Sequence, residues 1–180
     1  MIMTDAAVAF DRAIRDAEEL LTLFDKVNTD SDRQNGEVLK RAGVVMALAA
    51  WETYIKDRIR EEFDLRIQCV EGSSIGKFVR KRLEEDLKRF FNPNSQRIRQ
   101  IFVEHFEVDI TKKWVWDNYD CHDAQKRLDS LISKRCRAAH QANGCEHKGA
   151  EPDQIKREEL EKGIRFLKGL VAATEKIKLA

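Results

Sequence analysis

Arg135 and His140 are the two residues of this chain whose types and spacing could carry out phosphate chemistry. Both lie in the stretch from Asp120 to Gly144, DCHDAQKRLDSLISKRCRAAHQANG, whose apolar spacing is typical of an amphipathic helix. A histidine can take or give a proton near neutral pH, and an arginine can hold a phosphate through two parallel hydrogen bonds. Together these residue types suit the cleavage of an RNA phosphodiester.

Arg135 falls on the apolar face of this predicted helix. The other residues of that face are Leu128, Leu131, Ile132 and Ala139. A buried charge without a partner is very costly, so we expect an anion beside the guanidinium. Around an ideal helix Arg135 and His140 lie about 140° apart, so they converge only if the arginine reaches round or the helix ends by His140. The simpler alternative is that both only pair with a carboxylate and with C-terminal carbonyls.

The second helix, expected over about 37–68, carries a carboxylate on its apolar face. Glu52 lies there between Leu48 and Ile55. In one interpretation the carboxylate makes a structural salt bridge with an arginine of a neighbouring helix. In the other it lies beside Arg135, where it orients the guanidinium and tunes how tightly phosphate is held.

Two stretches resemble a known protein family. Residues 135–140, RCRAAH, fit the R-x4-H signature of the HEPN superfamily, small helical domains many of which are metal-independent ribonucleases. Residues 39–55, LKRAGVVMALAAWETYI, resemble the long helix of the RiboL-PSP and MAE-type branch, in which a run of small residues ends in Trp-Glu. The resemblance covers roughly residues 35–175 and implies an all-α, up-and-down bundle of five to six helices.

The resemblance also implies an endoribonuclease that works as a homodimer, with the motif helices of two subunits facing across a two-fold groove. His140 would act as general base on the 2′-OH or as acid on the leaving 5′ oxygen, and Arg135 would stabilise charge on the phosphate. The products would be a 2′,3′-cyclic phosphate and a 5′-hydroxyl, formed without a metal or other cofactor. Such proteins serve as toxins or phage-defence effectors, so an antitoxin or regulatory protein is an expected partner besides RNA.

Two positions of the motif differ from the usual family pattern. Cys136 follows the arginine where an asparagine is common, and Gln141 follows the histidine where a glycine is common. Cys136 also lies one helical turn before His140, so a Cys–His nucleophile couple is geometrically conceivable, but the sequence supplies no third orienting group. We therefore place Cys136 with Glu52 among the supporting residues.

Basic residues are concentrated between residues 72 and 100, where eight of them face three acidic ones. This local surplus could follow an RNA backbone. The candidate RNA contacts are Lys77, Arg80 and Lys81, together with Arg137 beside the motif. The alternative is a solvated helix face with pairs such as Glu84–Lys88, and a net charge of +1 for the chain favours neither.

Composition indicates a helical protein of one domain, spanning residues 1–180 with its core at about 35–175. Only two prolines and eight glycines interrupt a chain that is 42% hydrophobic and 36% charged. No apolar run reaches the length of a membrane span, and the N-terminus lacks the order of a secretory signal. We expect a cytoplasmic protein with reduced cysteines.

The residues that could bind a metal lack the usual spacing. Cys121, His122, Cys145 and His147 do not form the tight C-x2-4-C pairs of structural zinc sites. Asp117, Asp120 and Asp123 lie at a helix start, where capping explains them more simply. We also expect His105 to be a packed, hydrogen-bonded side chain, so no metal site is predicted.

Residues 107–119 have no helical period and could be an irregular segment or a one- or two-strand insert. Trp114 and Trp116 of this segment could cover the core, which we favour, or stack on bases. Two functions stay open for the chain as a whole. One is the homodimeric ribonuclease; the other is a non-catalytic module that dimerises or binds a partner protein or a nucleotide.

Overall fold

The computed structural model describes residues 3–27, 33–142 and 155–178, with side chains described throughout except at 33–35 and 137–142. The helices of these ranges are α1 (Asp5–Val27), α2 (Arg33–Ile67), α3 (Ser74–Lys88), α4 (Ser95–Phe106), α5 (Cys121–Ala142) and α6 (Arg157–Glu175). Short 3-10 turns cover Gln68–Val70 and Ile110–Lys113. The described residues contain no strand beyond an isolated bridge between Trp116 and Tyr119. The all-α prediction is therefore confirmed.

The run of small residues in α2 lets neighbouring helices approach closely. A Cβ added at Gly43 would lie 2.7 Å from the Leu160 side chain of α6, closer than real side chains allow. Gly163 of α6 is close to Leu131 of α5 in the same way, at 3.3 Å. Small residues at these crossings therefore bring α2, α5 and α6 into one packed core.

The irregular segment after α4 covers the core, as predicted. Trp114 is fully buried, meets Trp51 edge-on at 6.3 Å between ring centroids, and donates its indole N–H to Thr174 Oγ1 at 3.1 Å. Trp116 stacks on Tyr119 at 4.9 Å. These tryptophans are packed against protein, which leaves the base-stacking alternative without support at this place.

Polar side chains mark the helix starts that the sequence predicts. Ser73 Oγ accepts from the backbone N–H of Gly76 at α3, and Asn94 Oδ1 accepts from that of Arg97 at α4. Asp120 accepts from the backbone N–H groups of two α5 residues, 122 and 123, each at 2.8 Å. These bonds lower the pKa of the Asp120 carboxyl and confirm that it caps a helix.

A second set of polar groups lies inside the bundle, between α2 and α6. This buried ion cluster consists of Tyr54, Arg58, Glu62 and Glu175. Arg58 Nη1 lies 3.3 Å from Glu62 Oε2, and Arg58 Nε lies 3.6 Å from Glu175 Oε1. The Tyr54 hydroxyl donates to Glu175 Oε1 at 2.8 Å. The cluster joins the long second helix to the last one.

Within the described ranges, none of the helices combines the length and the apolar character that crossing a membrane requires.

Candidate functional site

The loop between α3 and α4, residues 89–94, is fixed to α2 by two adjacent side chains. Trp51 is fully buried and donates its indole N–H to the carbonyl oxygen of Pro93 at 3.3 Å. Glu52 Oε2 accepts the backbone N–H of Asn92 at 3.3 Å. The Trp-Glu pair of the long helix therefore has a physical task, because both of its members bind the same short loop.

Helix α5 brings Arg135 to this loop. Its Nη1 atom lies 3.1 Å from Glu52 Oε2 and also donates to Asn92 Oδ1 at 3.1 Å. The anion that the apolar face of α5 requires is therefore Glu52. This one contact fits both interpretations of Glu52: the carboxylate neutralises an arginine of a neighbouring helix, and it orients the guanidinium of that arginine.

The second oxygen of Glu52 is also occupied. Lys56, one turn further along α2, donates from Nζ to Glu52 Oε1 at 2.8 Å. Burial alone would raise the pKa of the Glu52 carboxyl, but hydrogen bonds from Lys56, Arg135 and the Asn92 N–H outweigh it and lower that pKa. Glu52 is thus a charged carboxylate between two cations. The arginine cluster, defined as Glu52, Lys56, Asn92 and Arg135, carries one positive charge that its own residues leave unbalanced.

The guanidinium retains bonding capacity. Both contacts of Arg135 within the described part of the chain use Nη1, whereas a guanidinium has five N–H donors on three nitrogens. The side chain is 24% exposed, against 15% for Glu52. Nε and Nη2 of Arg135 are therefore free, as far as the described residues show, to donate to an anion that reaches them from solvent.

Asn92 adopts a backbone conformation that few residues take. Its φ is +49°, in the left-handed region where asparagine is enriched among non-glycine residues. Such conformations cost on the order of 1–3 kcal/mol and cluster at functional sites. Here the conformation allows the N–H and the side-chain oxygen of one residue to meet both members of the Glu52–Arg135 pair.

Sequence reasoning missed two members of the arginine cluster. The segment Asn92-Pro93-Asn94 predicts a break, and the cue that went unused is that asparagine tolerates a left-handed turn. Lys56 could have been found from its spacing, because Glu52 and Lys56 are four residues apart on one helix.

The side chain of His140 lies outside the described residues, as does that of Arg137. The backbone of α5 is helical to Ala142, two residues past His140. The convergence of the Arg–His pair, about 140° apart on an ideal helix, therefore stays a prediction. Cys136 is a half-buried free thiol on the same helix.

Three arginines of the basic stretch, Arg80, Arg82 and Arg99, are paired with carboxylates. Arg80 pairs with Asp64 at 2.7 Å and with Glu71 at 3.3 Å, while Arg60 of α2 binds Glu84 through two nitrogens. Asp64 follows Glu52 by twelve residues, or about 18 Å along α2. Lys77 and Lys81 are exposed on α3, within a turn of Arg80. The structure thus does not bring this basic group to the arginine cluster.

One group of potential metal ligands occurs among the described residues, and a cation already sits beside it. Asp86, Glu104 and His105 offer ligand atoms within 4.8 Å of one another. Arg82 pairs with Asp86 at 3.3 Å and with Glu104 at 3.8 Å, and His105 Nε2 lies 3.2 Å from Asp86 Oδ2. His105 is thus packed and hydrogen-bonded, as expected. Cys145 and His147 lie outside the described residues.

Comparison with protein families identifies a family whose description spans most of the chain. Residues 11–177 match the family described as RiboL-PSP-HEPN. Comparisons with curated proteins and with solved structures found no match. The matched range includes nearly all of α1 to α6 and both halves of the arginine cluster. The resemblance noted in the sequence is confirmed.

Proposed function

We propose that this chain, which belongs to the RiboL-PSP-HEPN family, is a metal-independent endoribonuclease that acts as a homodimer. The observation that carries the proposal is the state of Arg135. Its guanidinium is held by Glu52 and Asn92 through one nitrogen only, is partly exposed, and belongs to a group with one more cation than anion. That arrangement suits a phosphate, which a guanidinium can bind through two parallel donors.

In the proposed reaction the 2′ oxygen of RNA attacks the adjacent phosphorus, and the bond from phosphorus to the 5′ oxygen breaks. His140 accepts the 2′-OH proton as general base, or gives a proton to the leaving 5′ oxygen as general acid. Arg135 stabilises the charge that grows on the non-bridging phosphate oxygens. One product ends in a 2′,3′-cyclic phosphate and the other begins with a 5′-hydroxyl, so no metal or cofactor is required.

Glu52 supports this chemistry without transferring a proton. Its lowered pKa and its bonds to three donors keep it ionised. It therefore has no proton to give, and its oxygens are already occupied by hydrogen bonds, so it is also a poor base. By accepting from Arg135 Nη1, it fixes the direction in which the remaining guanidinium donors point. Cys136, next to the arginine on α5, is proposed to support the motif by packing.

The biological role that the family suggests is that of a toxin or phage-defence effector in the cytoplasm. RNA would be the target, and an antitoxin or another regulatory protein would keep a single-domain nuclease in check. In the homodimer, the α5 helices of two subunits would face each other across a shared groove.

The test compares cleavage of single-stranded RNA in EDTA by the parent protein and by His140→Ala, with Arg165→Ala as a control on an arginine that is 75% exposed. We expect His140→Ala to lose cleavage while its circular dichroism and urea unfolding stay those of the parent. Arg165→Ala should cut normally. If His140→Ala cut as well as the parent, the assignment of His140 would be wrong.

A non-catalytic binding module is the second candidate, and two observations favour it. Three of the eight basic residues between 72 and 100, Arg80, Arg82 and Arg99, are paired with carboxylates, and Ile75 and Phe78 are both exposed, one turn apart on α3. Growth separates the candidates. Expression of the parent but not of His140→Ala should slow growth and fragment cellular RNA if the protein is a nuclease, whereas equal growth with intact RNA favours the binding module.

A further inference from the structure

Phe91 is a large aromatic side chain that the fold leaves in solvent beside the arginine cluster. Its side chain is 57% exposed, and it directly precedes Asn92, whose amide and side chain contact Glu52 and Arg135. The part of the ring that stays in solvent adds nothing to hydrophobic stabilisation, since only burial yields hydrophobic free energy. Its position next to the candidate phosphate contact leaves that part open to a ligand.

The loop that carries Phe91 is fixed at four points. Trp51 donates to the Pro93 carbonyl, and Glu52 accepts the Asn92 N–H. Arg97 Nη1 donates to the Phe91 carbonyl at 2.5 Å. Asp129 of α5 accepts from both the backbone N–H and the hydroxyl of Ser95 just after the loop. The ring is therefore held outward by its own backbone, so a ligand that used it would meet an already ordered surface.

A positively charged side chain, that of Lys56, packs against the Phe91 ring. Lys56 Nζ is 5.1 Å from the Phe91 ring centroid, within cation–π distance, and the same nitrogen binds Glu52. The contacts therefore run without a gap from the exposed ring through Lys56 and Glu52 to Arg135. A ligand placed here would meet an aromatic surface beside the positively charged arginine cluster.

We propose that Phe91 is a positioning residue that stacks on a nucleobase of single-stranded RNA next to the phosphate held by Arg135. The inference rests on the proposed function and adds the part of the substrate that the motif does not address. Base–aromatic stacking tolerates any base, because every base has a π face, so Phe91 would favour unpaired RNA without dictating its sequence. In a duplex both faces of each base are already covered, which would exclude paired substrates from this contact.

The test removes the base and the ring separately. Binding is measured with 2′-O-methyl oligoribonucleotides, which cannot be cleaved through the 2′ oxygen, either intact or with one abasic position at each site in turn. Four proteins are compared: the parent, Phe91→Ala, Phe91→Trp, and Leu65→Ala as a control, because Leu65 is 63% exposed on α2, well past Glu52 along that helix. All four are also assayed for cleavage of the matching unmodified RNA.

We expect one abasic position to weaken binding to the parent roughly 5- to 150-fold, the range of one stacked base. Phe91→Ala should bind the intact oligonucleotide as weakly as the parent binds the abasic one, and should no longer distinguish the two. Phe91→Trp should keep the discrimination and show fluorescence quenching with the intact oligonucleotide only. Leu65→Ala should behave as the parent.

The outcomes separate the two proposals. If the parent cuts RNA but Phe91→Ala keeps the full abasic discrimination, the stacking role is overturned and the nuclease stands. If the discrimination depends on Phe91 but no RNA is cut, the nuclease fails and the RNA contact stands. If Phe91→Ala instead changes the mass of the assembly in solution and leaves RNA binding intact, Phe91 serves contact between copies and the stacking proposal is wrong.

Discussion

Two charged clusters lie on the same helix, and they use their charges differently. The buried ion cluster begins at Tyr54 and Arg58, while the arginine cluster is built on Glu52 and Lys56, so that Arg58 follows Glu52 by six residues, or about 9 Å along α2. Side chains of Arg58 and its two carboxylate partners are only 8–10% exposed. Arg135 and its partner Glu52 are 24% and 15% exposed.

The two clusters also differ in their balance of positive and negative charges. Inside the bundle two carboxylates are matched by two arginines: Arg58 lies beside Glu62 and Glu175, and Arg66 also pairs with Glu62 at 3.2 Å. Glu175 also accepts from Tyr54. Burial, together with Glu175, raises the pKa of the Tyr54 hydroxyl far above its ordinary value, so it is always a donor. In the arginine cluster one carboxylate faces two cations. Charges that maintain the fold are thus enclosed and supplied with acceptors, whereas charges that could serve a ligand keep donors and solvent access.

The largest expected effect comes from removing the arginine of the buried ion cluster. Arg58→Ala leaves Glu175 without its arginine and Glu62 with Arg66 alone, and breaking a buried pair costs about 3–5 kcal/mol of unfolding free energy. Urea denaturation would measure it, with Arg165→Ala expected to stay within about 0.5 kcal/mol of the parent. RNA cleavage well below the unfolding transition should persist. A loss of cleavage without a loss of stability would contradict the conclusion that Arg58 serves the fold and not the site.

Arg135→Ala should show the opposite pattern. Removing one preorganised donor to a transition state lowers kcat about 10²- to 10³-fold, and Arg135→Lys should not restore it because a lysine lacks the planar fork. The unfolding free energy should fall by only about 1–2 kcal/mol, since Glu52 keeps its bond from Lys56. Cleavage rates and urea curves on the same preparations would decide. A stability loss as large as that of Arg58→Ala would mean that Arg135 is structural.

The left-handed conformation of Asn92 permits a finer separation of strain from function. Asn92→Ala loses the acceptor for Arg135 and forces a side chain into a region that costs about 1–2 kcal/mol, whereas Asn92→Gly loses only the acceptor. Asn92→Ala should therefore be the less stable variant in urea. If the acceptor matters for catalysis, both should cut RNA equally slowly per folded molecule. Activity that followed stability would indicate that the residue only shapes the loop.

The smallest expected effect is a pH dependence at Glu52. Because the fold lowers the pKa of this carboxyl, its ionised form stabilises the protein above the unfolded-state pKa of about 4.3. That contribution is lost as the pH falls through the folded-state value, which lies below it. The parent should exceed Glu52→Gln in unfolding free energy by about 1 kcal/mol at pH 7, and the difference should close in acid. If the difference in unfolding free energy between the parent and Glu52→Gln did not change with pH, the ionised state of Glu52 would not be its source.

The sequence allows the helices and half of the arginine cluster to be predicted. Apolar periodicity, the cap residues Ser73 and Asp120, and the break at residues 92–94 locate helix starts, because they are local signals. The meeting of Glu52 and Arg135 could be anticipated since each is a charge on an apolar face and needs a partner. The irregular alternative for residues 107–119 is the one found, because Trp116 and Tyr119 pair across a tight turn rather than along a strand.

What could not be predicted depends on contacts between distant segments. The place of Asn92 is fixed by Trp51 and Glu52, some forty residues earlier in the chain. The ion pairs of the basic stretch depend on another helix: Asp64 of α2 pairs with Arg80, and Glu84 binds Arg60 of α2 rather than Lys88. Residue types reveal which groups need a partner, but the tertiary fold decides which partner they find.

The adjacency of Trp51 and Glu52 has a consequence for how the protein responds to heat. One side chain lies in the hydrocarbon interior, its neighbour lies at the site, and both hold the same short loop. Warming that loosens the packing around the Trp51 indole would break its bond to Pro93. Asn92 would then move away from the Arg135 guanidinium while the helices remain folded. The proposed RNA cleavage would then be lost below the melting temperature of the helices and would return on cooling.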